Sequence, residues 1–185
     1  MTVDYRGLET LPAQSERLYS PQELEQVLDT MAAEINQTLA GEDPVLVLVV
    51  MNGGLVTAGK LLPRLSFLAD LDYVHASRYG KDTEGGRLSW QHKPIGSLAG
   101  RRVLLLDDIL DRGITLKALV EYAYHEGAAS VHTAALVQKQ LPGPPAIEAD
   151  FVGLMVPDRF VFGFGMDVRG YWRNAPGIFA APEGV

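Results

Sequence analysis

The stretch Val103-Leu104-Leu105-Leu106-Asp107-Asp108-Ile109-Leu110-Asp111-Arg112-Gly113-Ile114-Thr115 decides the fold. Four apolar residues run into two adjacent carboxylates. A third carboxylate, a Gly and a Thr follow, and a helical pattern opens directly after them. The order predicts a buried parallel strand over Val103 to Leu106 whose C-terminal end opens into an anion-binding turn. A helix from Thr115 to Glu126, ended by Gly127, comes next. Ligands of open α/β sheets sit at that edge.

The rest of the chain repeats the alternation. Val45 to Val50 is too apolar to face water on either side, as in a central parallel strand. It is followed by the turn Met51-Asn52-Gly53-Gly54 and a helix from about Leu55 to Leu62, disturbed by Pro63. Upstream, Ser20, Pro21 and Glu23 form the start signal of a helix reaching Leu39, with Leu24, Val27, Leu28, Met31, Ile35 and Leu39 on one face. Leu71 to Ala76 and Val131 to Val137 read as strands, and Phe151 to Leu154 and Val161 to Phe164 as shorter ones. Tyr79 to Ser97, with four Gly and little periodicity, reads as a long loop. Together these predict one α/β domain over residues 1–185, a parallel-centred twisted sheet flanked by helices.

Composition narrows the function. The chain is acidic, with net charge −7 and no long Lys/Arg cluster, so a nucleic acid is not the expected partner. It has no cysteine, which removes disulfides and thiolate metal sites. The longest apolar run, Val45 to Met51, is too short for a bilayer, and Met1 to Gly7 lacks a signal peptide's apolar core. No membrane association and a cytoplasmic location are the expectations.

The strand end carries the chemistry. Asp107 and Asp108 are suited to ribose hydroxyls or to a metal ion through oxygen ligands. Gly113 permits a tight turn whose successive N–H groups form an anion nest. Thr115, where a helix begins, adds a hydroxyl and the favourable end of the helix dipole. Neither a Walker A loop nor a Gly-x-Gly-x-x-Gly after a strand is present. The four histidines, His75, His92, His125 and His132, lie at no metal-ligand spacing.

Val103 to Leu116 resembles the phosphoribosyl-pyrophosphate (PRPP) signature of the type I phosphoribosyltransferases: four apolar residues, two acids, two apolar residues, an acid and a Gly/Thr loop. Three more segments narrow the resemblance. Pro157 to Gly163 with Met166 to Arg173 is similar to the C-terminal purine-site segment of hypoxanthine-guanine phosphoribosyltransferases. Ala135 to Lys139 resembles the strand delivering their purine-reading Lys, and Met51 to Gly54 their pyrophosphate loop.

The resemblance implies a type I fold with a core over about 40–140, a mobile active-site loop at about 79–97 and a purine-site hood from about 1–20 and 150–185. It implies Mg²⁺-dependent conversion of hypoxanthine or guanine plus PRPP to IMP or GMP plus pyrophosphate, in a homodimer or homotetramer. Asp111 would be the general base, and Asp107 and Asp108 would hold the ribose. Arg112, Gly113, Ile114 and Thr115 would cradle the 5′-phosphate, while Met51, Asn52, Gly53 and Arg173 would meet the pyrophosphate. Lys139 would read the 6-oxo group, Phe160 would stack on the ring, and Val161 and Asp167 would complete the purine site. Asp167, with Asp107 and Asp108, would supply metal carboxylates, and Ser77 and Tyr79 would sit on the closing loop.

The chain departs from the family pattern at several positions. Asn52 stands where many relatives have Lys, Arg112 and Ile114 replace the commoner Thr and Lys, and Arg78 separates Ser77 from Tyr79. Two alternatives stay open from sequence: a PRPP-binding regulator without catalysis, and a phosphoribosyltransferase for xanthine or a pyrimidine.

Overall fold

The computed structural model describes residues 14–41, 43–78 and 88–182. Its centre is a six-stranded sheet in the order β4-β3-β2-β5-β6-β7. The strands are β2 (Val45–Val50), β3 (Ala69–Arg78), β4 (Leu88–His92), β5 (Arg102–Leu110), β6 (Ser130–Gln140) and β7 (Phe151–Pro157). All neighbours are parallel except β4, which runs antiparallel to β3 at the edge. β1 (Glu16–Tyr19), β8 (Val161–Phe162) and β9 (Ile178–Ala180) form a separate antiparallel sheet in the order β1-β9-β8.

Every residue of β2 is buried, because helices cover both faces of the sheet centre. On one face lie α1 (Pro21–Leu39), over β7, and α2 (Gly54–Leu61), over β5 and β2; on the other lies α3 (Ile114–His125). The two faces hold separate cores. One joins Leu24, Leu28, Met31, Ile35 and Leu39 of α1 to Val47, Leu104 and Leu106; the other joins Leu116 and Leu119 of α3 to Leu46, Leu48, Val103 and Leu105. The start of α1 is set by the predicted capping box. The Ser20 hydroxyl accepts from Glu23 N at 3.3 Å, and Ser20 N donates to the Glu23 carboxylate at 2.8 Å.

The structure corrects the sequence expectations in several places, and the expected strand Val161 to Phe164 ends at Phe162. β5 does not end at Leu106; its ladder with β6 runs on to Leu110, so Asp107 and Asp108 lie inside a strand. The long loop also contains a strand, β4, which the periodicity misses because Ser89, Gln91 and His92 make it a polar edge strand. Its Trp90 packs on Tyr122 of α3, ring centroids 4.6 Å apart, and the Lys93 ammonium lies 5.4 Å from both rings. Tyr79 and the side chain of Ser77 lie outside the described residues.

The small sheet encloses its own apolar cluster of Phe162, Val168, Ala175, Phe179 and Ala181, with Phe162 and Phe179 stacked at 5.5 Å. The Tyr19 hydroxyl ties it to β7 by donating to the Met155 carbonyl at 2.9 Å.

Candidate active site

The parallel register builds one wall of the site. Leu110 of β5 lies beside Gln138 of β6, so the next residues, Asp111 and Lys139, emerge as neighbours. The Lys139 ammonium is 3.2 Å from the Asp111 carboxylate and 3.9 Å from that of Asp158, which follows the end of β7. The small sheet closes the opposite wall with Phe160 and Val161. A cleft of about 190 Å³ results, lined by Asp108, Ile109, Asp111, Lys139, Phe160, Val161, Met166 and Asp167. Val161 is buried, whereas the Phe160 ring is 50% exposed, an apolar face presented to the cleft rather than spent in a core.

Beyond Asp111 the chain turns sharply. Gly113 sits in the left-handed region at φ 74° and precedes the first residue of α3. No side chain caps that helix, so its first amides are left for a ligand. The turn is buttressed from behind, where Ala146 N donates to the Arg112 carbonyl at 2.8 Å. A Cβ at Gly113 would stand 3.1–3.3 Å from the backbone of Ala146 and Ile147. Arg112 and Ile114 are exposed beside it, and Thr115 is half-buried.

Asp107 and Asp108 point to opposite faces of β5, as consecutive strand residues do. Asp108 is buried in the cleft wall. Asp107 is half-buried and does not line the cleft; its carboxylate accepts from Asp108 N at 2.9 Å. Burial, reinforced by the Asp108 carboxylate beside it, pushes the Asp107 carboxyl well above the usual range.

The turn after β2 is pinned between two carriers of the site. A Cβ on Gly53 would overlap the Asp108 carboxylate at 1.9 Å. From the other side, a Cβ on Gly165 would lie 2.1 Å from the Gly53 carbonyl, and Gly165 has φ 109°. Arg173 completes the clasp by donating to the Gly165 carbonyl at 2.7 Å while pairing with Asp167 at 2.6 Å. Asp167 also accepts from Gly170 N at 2.6 Å. Met51 is half-buried against the core and Asn52 is exposed at the outer side of this turn.

Of the residues singled out from sequence, the cleft therefore joins Asp108, Asp111, Lys139, Phe160, Val161 and Asp167, with Gly53 and Arg173 one contact behind. Sequence reasoning missed Gly165, Met166 and Asp158. Asp158 was legible, since it stands inside the quoted Pro157–Gly163 segment; Gly165 was not, because its closeness to Gly53 is purely tertiary. A wider concavity of about 750 Å³ lies at the opposite, strand-start edge. Its cations are already engaged: Arg101 pairs with Asp70 at 2.8 Å, and Arg102 donates to the carbonyls of Leu39 and Asp43.

A comparison with known proteins fits this arrangement. The family described as phosphoribosyl transferase domain matches residues 14–169, and the chain belongs to that family. Within it, similar relatives carry a more particular name. The hypoxanthine-guanine phosphoribosyltransferase of Bacillus subtilis is 32% identical over 87% of this chain and 89% of its own length. Bifunctional TilS/HprT proteins of Listeria are 34–35% identical, but the chain spans only a quarter of their length. Among solved structures, a hypoxanthine phosphoribosyltransferase from Staphylococcus aureus superposes with TM-score 0.84 at 27% identity, covering 90% of this chain and 91% of that one.

Proposed function

We propose that this chain is a purine salvage enzyme that joins hypoxanthine or guanine to the phosphoribosyl group of PRPP, giving IMP or GMP and pyrophosphate. One observation carries the reading. Three carboxylates, a cation and an exposed aromatic face converge on one cleft at the strand ends, beside an uncapped helix start. The similarity to hypoxanthine-guanine phosphoribosyltransferases over most of the chain supports it.

The residues divide the work. The amides of Gly113, Ile114 and Thr115, the Thr115 hydroxyl and Arg112 take the 5′-phosphate. Asp108 holds the ribose hydroxyls, with Asp107 behind it on the other face of β5, and carboxylate charge at the cleft offsets the positive charge that grows on the sugar as the bond from the anomeric carbon to pyrophosphate breaks. Asp111 accepts or shares the purine N7 proton while a ring nitrogen bonds to that carbon. Lys139 donates to the 6-oxo oxygen; a 6-amino group would meet donor with donor, so adenine is rejected. Phe160 stacks on the ring and the Val161 carbonyl accepts from its edge. Met51, Asn52 and Gly53 offer backbone to the pyrophosphate, with Arg173 beside them. Ser77 lies within β3, paired with Ser89 of β4, and not in a loop; the part proposed for Tyr79 falls outside the described residues.

A divalent cation suits this donor set. The carboxylates of Asp108, Asp111 and Asp167 line the cleft, and among the described residues no group of three His, Cys, Asp or Glu could hold a metal by itself. Mg²⁺ needs no such group, since one or two carboxylates with substrate oxygens and waters suffice. Asp167 and Asp108 are the cleft carboxylates for it, with Asp107 behind. When bound, Mg²⁺ supplies neutralisation of the pyrophosphate.

The terminal segments act as a hood on the core, within one domain. The chain works as a dimer or tetramer, supported by exposed Leu55, Leu71 and Tyr73. A cytoplasmic location accords with the described helices, none of which is long and apolar enough to cross a membrane.

Turnover of hypoxanthine, guanine, xanthine, adenine and uracil with PRPP and Mg²⁺ tests the reading. Product from the first two alone is the expected result. Product from uracil or adenine overturns the purine assignment, and PRPP binding without turnover of any base makes the chain a regulator.

A further inference from the structure

Lys139 has one more partner than its proposed task explains. Its side chain is only 14% exposed, and its ammonium sits between two carboxylates of similar exposure, Asp111 at 3.2 Å and Asp158 at 3.9 Å. Asp111 is the group proposed to take the purine proton. As the base enters, that carboxylate must turn from the ammonium to the ring N–H. A half-buried ammonium left without a counter-charge is costly, and a mobile one reads a carbonyl badly.

Asp158 is built to fill that gap. The β6–β7 register sets Gln140 beside Pro157, which places the residue after Pro157 next to the strand end that carries Lys139. The turn that presents it is fixed from both sides. Arg159 N donates to the Pro157 carbonyl at 2.7 Å, and the Arg159 guanidinium pairs with Glu16 of β1 and reaches the Ala181 carbonyl at 3.5 Å. The side chain of Asp158 itself is 53% exposed and lies outside the cleft lining. An ammonium has three donors. At 3.9 Å the Asp158 carboxylate pairs with the ammonium by charge without taking a donor, so the N–H that Asp111 releases is free for the 6-oxo oxygen.

We propose that Asp158 is a positioning residue, the standing counter-ion that keeps Lys139 aimed into the cleft when the purine takes Asp111 away. The proposal rests on the function assigned above. It makes the resting Lys139–Asp111 pair a contact that substrate must break, and Asp158 the reason the break is cheap.

The test compares wild type with Asp158→Asn and Asp158→Glu. In Asp158→Asn the KM for hypoxanthine rises about fivefold, the upper scale of one partly exposed ion pair, while the KM for PRPP is unchanged, because Lys139 does not meet the phosphoribosyl half. Asp158→Glu recovers most of the difference. An unchanged hypoxanthine KM, or both KM values rising together with a lowered Tm, overturns the proposal. A second readout is independent of turnover: trace acetylation of Lys139, read by peptide mass, becomes several-fold faster in Asp158→Asn, because an ammonium with one counter-ion fewer is held less firmly in the cleft and swings out to the reagent more often. Faster labelling in a protein that turns over no base leaves the Asp158 contact standing and removes the purine assignment. Unchanged labelling removes Asp158.

Discussion

The corner where β5 meets α3 and the loop from Gly163 to Arg173 face the same cleft, yet they are held in different ways. The corner hangs on regular structure. Its strand is paired with β2 as far as Leu106 and with β6 on to Leu110, its helix packs on a core, and Gly113 alone adopts a left-handed backbone between Asp107 and Thr115. The loop has little regular structure. Within eleven residues, Gly163, Phe164, Gly165, Arg169, Gly170 and Trp172 all have positive φ, three of them non-glycine. Its shape is imposed by clasps: Arg173 on Asp167 and Gly165, and Gly165 against Gly53. A scaffold built on pairing holds the corner, and strained backbone holds the loop; on the proposed function, the first carries the chemistry and the second meets the leaving group.

The largest effect is expected at the corner. Asp111→Asn keeps the shape of the side chain, which is half exposed, and removes the proton acceptor. We expect kcat to fall about 10²–10⁴-fold with Tm nearly unchanged, the range for losing a general base. A fall below tenfold would move the base elsewhere.

The clasped loop should respond next. At Gly165 an added methyl must contend with φ 109° and with the Gly53 carbonyl at 2.1 Å. Gly165→Ala should lower kcat/KM for PRPP by about 10²-fold through misplacement of the pyrophosphate turn, with near-normal affinity for the purine base. Equal loss for both substrates would mean that the loop and the corner move as one piece.

The smallest effect concerns stability, and it returns to the corner. Burial and Asp108 raise the Asp107 carboxyl above its unfolded value. The folded chain therefore holds that proton more tightly. Stability from this group is intact below the unfolded pKa of about 3.9 and is lost as pH rises through the folded value. Asp107→Asn keeps the oxygen that accepts from Asp108 N and removes the charge. In chelator its Tm at pH 7 should exceed wild type, and the gain should vanish below about pH 4. A lower Tm at pH 7 would show that Asp107 is stabilised as a carboxylate.

The same contrast explains what could be read from sequence. The corner was legible because its information is local: apolar run, acids, Gly and helix onset stand in consecutive positions. Lys139 was legible only through the resemblance of Ala135 to Lys139 to the family's Lys-bearing strand; the β5–β6 register is what brings it beside Asp111. The extent of β5 was not legible, because carboxylates read as a strand end and only the β6 ladder carries them inside it. β1 and β9 escaped for a related reason: they are three or four residues long and exist through pairing across the whole chain. Gly165 and its contact with Gly53 belong to the same class.

The central claim is that corner and clasped loop form one site. A crystal structure with IMP bound tests it most directly. The account predicts the 5′-phosphate on the amides of Gly113 to Thr115, the 6-oxo oxygen within hydrogen-bond distance of the Lys139 ammonium, and the purine against Phe160. A nucleotide whose base lies away from Phe160 and Lys139, or whose phosphate sits at the opposite edge near Arg101 and Arg102, would contradict it.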